Sequence, residues 1–201
     1  MIRVLDAQFL TTAVEESGWP SADLPEIAFV GRSNVGKSSM INALTGRRKL
    51  VRVSNTPGRT RTLNFFDVVL ERRDVRRTVR LADLPGYGFA KVSKTERSSW
   101  EAMITGYLER RTALRGVVAI VDAEVGATED DVRTLDYLVS SGRPVLVAAT
   151  KLDRLGKSHR KPRLAATAAA LSVPRDTVLG FSATEKLGVP EVWDALWTAT
   201  S

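Results

Sequence analysis

Gly31-Arg32-Ser33-Asn34-Val35-Gly36-Lys37-Ser38 fits the pattern G-x-x-x-x-G-K-[ST] at every fixed position. Glu26-Ile27-Ala28-Phe29-Val30 before it reads as a short buried strand. Ser38-Ser39-Met40-Ile41-Asn42-Ala43-Leu44 after it has apolar residues at helical spacing. Strand, glycine loop and helix start are the parts that a grip on a nucleoside triphosphate requires. Glycines let the backbone wrap so that N–H groups converge on phosphate oxygens. The helix N-terminus adds its partial positive charge. In this reading Lys37 reaches the β- and γ-phosphates and the Ser38 hydroxyl ligates Mg²⁺. The competing reading is a glycine-rich turn that matches by chance, so the rest of the chain has to decide.

A chain of 201 residues fits one α/β domain with a full core. No run approaches the ~18 apolar residues of a membrane span, and the N-terminus lacks the charged-then-apolar order of a secretion signal. With zero cysteines there is neither a disulfide framework nor a thiolate zinc site. A monomeric cytoplasmic protein is the plain expectation. The net charge of +7 is concentrated: residues 47–80 hold eleven cations (Arg47, Arg48, Lys49, Arg52, Arg59, Arg61, Arg72, Arg73, Arg76, Arg77, Arg80) against Asp67, Glu71 and Asp74. Such a segment suggests a polyanionic partner; a merely solvated face is the alternative. No base-reading module is visible, which favours phosphate and shape recognition over sequence readout.

Apolar runs alternate with helical patterns. Residues 63–70 and 75–82 flank Glu71-Arg72-Arg73-Asp74 as a hairpin. Residues 116–121, 144–149 and 178–181 read as buried strands. Ser93-Lys94-Thr95-Glu96 is a capping box before a helix with Trp100, Met103, Ile104, Tyr107 and Leu108 on one face. Thr128 with Asp131 opens another helix carrying Val132, Leu135, Leu138 and Val139. Residues 164–171 are Ala-rich and helical, and Pro190 suits the first turn of a last helix. His159, the single histidine, sits in a polar basic loop at the surface, whereas Trp100, Trp193 and Trp197 face the core. The alternation predicts a six-stranded, mostly parallel sheet with one antiparallel strand and helices on both faces, built from residues 25–201. Residues 1–24 read as an N-terminal extension without defined structure.

Three further pieces complete the candidate site. Asp83-Leu84-Pro85-Gly86 follows a strand, so Asp83 can join a Mg²⁺ shell and the Gly86 amide can meet a γ-phosphate. Thr150-Lys151-Leu152-Asp153 follows another, at the sheet edge where open α/β sheets bind ligands. The Asp153 carboxylate can accept from guanine N1–H and N2–H₂, a donor pair adenine lacks, while the Lys151 stem covers the base. At Ser182-Ala183 a backbone N–H can meet guanine O6.

Those pieces, with Thr56-Pro57-Gly58-Arg59-Thr60, Asn64-Phe65-Phe66, Tyr87-Gly88 and Phe181-Ser182-Ala183, resemble the EngB family of bacterial ribosome-biogenesis GTPases over about residues 24–200. The resemblance implies a Ras-like P-loop G domain that hydrolyses GTP to GDP as a switch in assembly of the large ribosomal subunit, with a further need in cell division and septation. It places the phosphates on Gly31 to Ser38, Mg²⁺ on Ser38 and Thr60, and the first switch loop on Gly58-Arg59-Thr60-Arg61-Thr62. It places the γ-phosphate sensor on Asp83 to Gly86 and guanine on Thr150 to Asp153 and Phe181 to Ala183. Lys37, Thr60 and Gly86 are then the catalytic candidates.

Two departures from the general GTPase pattern carry consequences. Thr150 stands where asparagine usually sits, removing a carboxamide that ties the base to the phosphate loop and implying modest affinity. Tyr87 stands where a water-orienting glutamine commonly follows D-x-x-G, which implies slow hydrolysis raised by a partner or a monovalent cation. Asn34 occupies the position from which related potassium-dependent GTPases ligate K⁺; the alternative is that it closes the turn. Rival classes are a nucleotide-dependent RNA-binding placeholder with incidental turnover, and a GTPase of another pathway.

Overall fold

Strand β2 (Glu26–Gly31) is buried at every residue because it is covered on both faces and flanked on both edges. Its side chains alternate: Ala28 and Val30 enter one hydrophobic cluster, Ile27 and Phe29 the other. In this computed structural model, which describes residues 1–51, 62–87 and 94–201, the remaining strands are β1 (Arg3–Ala13), β3 (Leu63–Arg72), β4 (Val75–Asp83), β5 (Leu114–Asp122), β6 (Val145–Thr150) and β7 (Val178–Gly180). The helices are α1 (Lys37–Thr45), α2 (Lys94–Arg110), α3 (Glu129–Ser140), α4 (Lys157–Ala170) and α5 (Val189–Ala199).

The strand order is β1-β3-β4-β2-β5-β6-β7. Strand β3 runs antiparallel to both its neighbours and every other pairing is parallel. One antiparallel strand is therefore found, as expected, but the sheet has seven strands rather than six. The extra one is β1, drawn from the N-terminal residues read as a poorly defined extension. Its pattern was illegible because two register shifts, between Val4 and Asp6 and between Phe9 and Thr11, break the alternation of inward and outward residues. The β3–β4 hairpin turns on Arg73 and Asp74, both with positive φ (49° and 64°), the geometry whose twist matches the flanking strands.

One face of the sheet carries Tyr107 and Leu108 of α2, Leu135 and Leu138 of α3 and Ala168 of α4. The other carries Met40, Ile41 and Leu44 of α1 with Val192, Trp193, Leu196 and Trp197 of α5. Trp193 and Trp197 are thus core residues, as expected, and Trp193 Nε1 also donates to the Leu44 carbonyl at 2.9 Å, clipping α5 to α1. Helix α3 opens on the expected capping box between Thr128 and Asp131, and Pro190 lies in the first turn of α5. Val139 departs from its expected core face and is exposed. His159 is exposed but helical, because α4 begins at Lys157 rather than in the alanine run. The capping box at Ser93 to Glu96 and the Trp100 side chain lie outside the described residues.

At the end of β2 far from the glycine loop, Glu26 is buried against Arg111, whose Nη2 donates to it at 2.6 Å, and also accepts from the Tyr107 hydroxyl. Burial and then the Glu26 carboxylate hold the Tyr107 phenol well above its ordinary pKa. Arg80 is likewise buried, with Nε donating to Asp67 at 2.7 Å and Nη1 to the Ser21 carbonyl at 2.6 Å. These charges brace the sheet and the N-terminal segment.

Among the basic residues of the 47–80 segment, Arg80 is therefore internal. Arg77 is held by the Trp197 carbonyl at 2.7 Å and stacks on that ring, Arg76 pairs with Glu71 and Arg47 with Asp6. Arg48, Lys49 and Arg73 are exposed, and Arg52, Arg59 and Arg61 lie outside the described residues. Among the described residues the run of charge is not one continuous positive face, because alternate strand residues and local acids disperse it.

Candidate functional site

Strands β2, β4, β5, β6 and β7 end on one edge of the sheet, and every described piece of the predicted site is found there. The glycine loop leaves β2 at Gly31 and turns on Asn34 (φ 63°) and Gly36 (φ 101°) into α1. The amides of Asn34, Gly36, Lys37 and Ser38 donate to no group among the described residues, as expected of a loop end and helix start open to an anion. Val35 is buried and anchors the loop in the core. Asn34 is exposed, and its carboxamide has no hydrogen-bond partner among the described residues.

Register puts Asp83 beside Phe29 of β2, so its carboxylate lies under the glycine loop. There it accepts from Lys37 Nζ, and both side chains are largely buried. From Asp83 the chain stays on the loop. Leu84 N donates to Phe29 O at 3.1 Å, Tyr87 N to Gly31 O at 3.2 Å, and Ser33 N to Tyr87 O at 2.9 Å. Leu84 and Pro85 are buried. Gly86 is pressed so closely to Ser33 that an added Cβ would lie 3.0 Å from Ser33 N. The Gly86 amide donates to no described group.

The Ser38 hydroxyl also has no partner among the described residues. A hydroxyl and a carboxylate are hard oxygen donors of the kind that suit Mg²⁺. Gly58, Arg59, Thr60 and Arg61 lie outside the described residues; Thr62, half-buried, stands just before β3.

The base loop begins at Thr150, whose hydroxyl lies 2.5 Å from Val35 O and 3.1 Å from Val121 O. The hydroxyl thus ties the base loop itself to the phosphate loop, because β6 ends close enough for the shorter side chain to reach. Lys151 adopts a left-handed conformation (φ 59°) and its Nζ donates to Asp122 Oδ2 at 2.5 Å. Leu152 is buried, and its amide donates to Phe181 O at 3.1 Å, joining the two base-facing loops. Asp153 Oδ1 accepts from the buried Ser182 hydroxyl at 2.6 Å, which itself accepts from Glu185 N at 3.0 Å. Of the two amides named for the base, Ser182 N is committed to Leu187 O at 3.1 Å, while Ala183 N donates to no described group.

Three contributors were not read from the sequence. Asp122 at the end of β5 holds Lys151, and its Oδ1 accepts from Glu124 N at 2.8 Å. An acid closing an apolar strand, the same signal that marks Asp83, would have revealed it. Asn42 of α1 pairs both ways with the Val51 peptide: Nδ2 to Val51 O at 2.9 Å and Val51 N to Oδ1 at 2.8 Å. Asp131 accepts from the Tyr87 hydroxyl at 2.8 Å. Neither Asn42 nor Asp131 has a spacing that links it to its distant partner.

Residues 26–151 match the family model of 50S ribosome-binding GTPases. A probable GTP-binding protein EngB of Myxococcus xanthus is 67% identical over 196 residues, 98% of this chain and 95% of the relative. That of Anaeromyxobacter dehalogenans (strain 2CP-C) is 50% identical over 197 residues, 97% of this chain and 91% of the relative. A crystal structure of a probable EngB superposes with a TM-score of 0.65 at 24% identity, covering 87% of this chain and 98% of that one. Era bound to MgGDPNP and a 16S ribosomal RNA fragment has the same fold, with a TM-score of 0.66 at 19% identity over 89% of this chain and 57% of that one. With phosphate loop, acid-bearing loop and base loop on one sheet edge, the chain belongs to the EngB family of P-loop GTPases.

Proposed function

We propose that this GTPase acts as a monomeric, cytoplasmic switch in assembly of the large ribosomal subunit, with normal septation depending on that role. The observation that carries the reading is the match to a ribosome-binding GTPase family over a site whose loops fit a guanine nucleotide. No helix among the described residues is long and apolar enough to cross a membrane.

In this proposal Gly31 to Ser38 wrap the phosphates and Lys37 neutralises the β- and γ-oxygens. Ser38, Thr60 and Asp83, directly or through water, hold Mg²⁺, which when bound screens phosphate charge. The Gly86 amide meets the γ-phosphate, Asp153 reads the guanine donor edge, and the Ala183 amide takes its carbonyl oxygen. Hydrolysis needs little covalent help from the protein: positioning and charge neutralisation lower the barrier. Tyr87 is turned into the core and cannot orient water, so intrinsic turnover is slow and a ribosomal partner or K⁺ near Asn34 completes the site.

Co-sedimentation with purified 50S particles in a non-hydrolysable GTP analogue, in GDP and without nucleotide tests the switch. Binding restricted to the GTP-like state, with GTPase turnover raised by the particles, supports it. Equal binding in all three states without stimulation overturns it in favour of a placeholder.

A further inference from the structure

Tyr87 occupies the position after D-x-x-G, and all three of its polar groups are engaged. Its amide and carbonyl bracket the glycine loop by bonds to Gly31 O (3.2 Å) and from Ser33 N (2.9 Å). Its phenol crosses to α3 and donates to Asp131 Oδ1 at 2.8 Å. The other Asp131 oxygen accepts from Thr128 N at 2.8 Å and Thr128 Oγ1 at 2.7 Å. Both Tyr87 and Asp131 are buried. Burial first, and the neighbouring Asp131 carboxylate second, hold the phenol far above its ordinary pKa, so it stays a donor.

We infer that Tyr87 and Asp131 form a clasp that fixes the Gly86 amide over the glycine loop, making them positioning residues for recognition of the γ-phosphate. Gly86 is joined by one peptide bond to a residue pinned at its amide, carbonyl and phenol, and it sits against Ser33, which an added Cβ would meet at 3.0 Å. A donor fixed beforehand pays no ordering cost when the γ-phosphate arrives. A ligand that ends at the β-phosphate gains nothing from it. The clasp therefore favours GTP over GDP rather than tightening both. The inference rests on the assignment of Gly86 to the γ-phosphate proposed above.

Four variants of the full chain separate the possibilities, with fluorescent GDP and a non-hydrolysable GTP analogue titrated into each beside a thermal melt. Tyr87→Phe removes only the bonds of the phenol, to Asp131 and with Thr134. Asp131→Ala removes the first of these and the helix cap, Thr128→Ala removes cap bonds alone, and Gly86→Ala blocks the sensor itself. Loss of one hydrogen bond to a buried carboxylate predicts that Tyr87→Phe and Asp131→Ala lower the GTP-analogue to GDP affinity ratio about tenfold. GDP affinity stays within about twofold. Thr128→Ala lowers the melting temperature and leaves the ratio alone.

The clasp is overturned if Gly86→Ala shifts the ratio and Tyr87→Phe does not, or if Thr128→Ala shifts it equally, which would mark a purely structural role. A Gly86→Ala variant with an unchanged ratio overturns the γ-phosphate assignment and the clasp with it. Should Asp131→Ala fail to fold, Tyr87→Phe, which keeps the ring in place, decides alone.

Discussion

Lys37 Nζ donates to Asp83 Oδ1, joining the residue assigned to phosphate to the one assigned to the Mg²⁺ shell. The ion pair and a Mg²⁺-nucleotide compete for the same two side chains: phosphate must replace Asp83 beside Lys37, and the cation must replace Lys37 beside Asp83. Asp83→Asn is therefore expected to bind GDP a few-fold more tightly than the parent in EDTA and to gain nothing when Mg²⁺ is added. Lys37→Ala leaves a buried carboxylate without its partner. It is expected to lose nucleotide binding and about 3 kcal/mol of stability. Titrations with and without Mg²⁺, and chemical denaturation, read both outcomes.

Asp153 is expected to set base choice. Its partner within the fold is the Ser182 hydroxyl, leaving carboxylate acceptor capacity for the two guanine donors. Asp153→Asn turns part of that edge into a donor. It should cost GTP about 1–3 kcal/mol of binding and favour the xanthine nucleotide, whose C2 oxygen accepts. Competition between GTP and XTP measures the switch, and unchanged preference would place the base elsewhere.

Much of this site was legible because its signals are local. The glycine loop, Asp83 and Asp153 each follow an apolar run, and a run closed by a functional residue survives without knowledge of the sheet order. Thr150 shows where that logic stops. Its letter shows the loss of a carboxamide, and only the 2.5 Å approach of its hydroxyl to Val35 O reveals that base loop and phosphate loop are joined. Asn42 acts on Val51 across a loop and Asp131 on Tyr87 far along the chain, pairings for which spacing carries no information. Strand β1 was hidden for another reason. As an edge strand with two register shifts it keeps several apolar residues exposed, among them Phe9 and Leu10, and lacks a clean period of two.

Asn42 fixes the peptide of Val51, immediately before the segment that carries the first switch motif. Asn42→Ala would leave a buried N–H and C=O without partners, a cost of about 1–3 kcal/mol. At this chain length each kcal/mol moves the melting temperature by roughly 2–4 °C. Because the anchor precedes Thr60, the variant should also raise the Mg²⁺ concentration needed for half-maximal GTPase activity. A lower melting temperature with unchanged Mg²⁺ dependence would confine Asn42 to a structural role.

Tyr87 and Tyr107 give the fold an alkaline limit. Burial, then Asp131 and Glu26 respectively, raise their phenols above the ordinary phenol value of 10.0 in the native state. A group with a raised native pKa contributes its full stability below the unfolded value and loses it as pH climbs past that value toward the native one. Stability is thus expected to be level with respect to these groups below about pH 10 and to fall above it. Their phenolate absorbance should rise together with loss of the far-ultraviolet helical signal. Tyr87→Phe should move this transition upward in pH, and ionisation of both phenols ahead of unfolding would contradict the assignment.

Asn34 offers the sharpest test of how hydrolysis is completed. It sits at the turn of the glycine loop with φ 63°, a conformation asparagine tolerates better than most residues, and its carboxamide is exposed without a partner among the described residues. If it only closes the turn, Asn34→Gly satisfies the same backbone and changes little. If its oxygen ligates K⁺ beside the phosphates, the fixed cation supplies charge stabilisation that Tyr87, held in the core, cannot provide by orienting water. Matched KCl and NaCl assays should then show the parent about tenfold faster in K⁺, with Asn34→Gly equally slow in both and GDP affinity unaltered. Equal rates for the parent in the two salts would leave Asn34 as a turn residue and assign the missing catalytic contribution to the ribosomal partner.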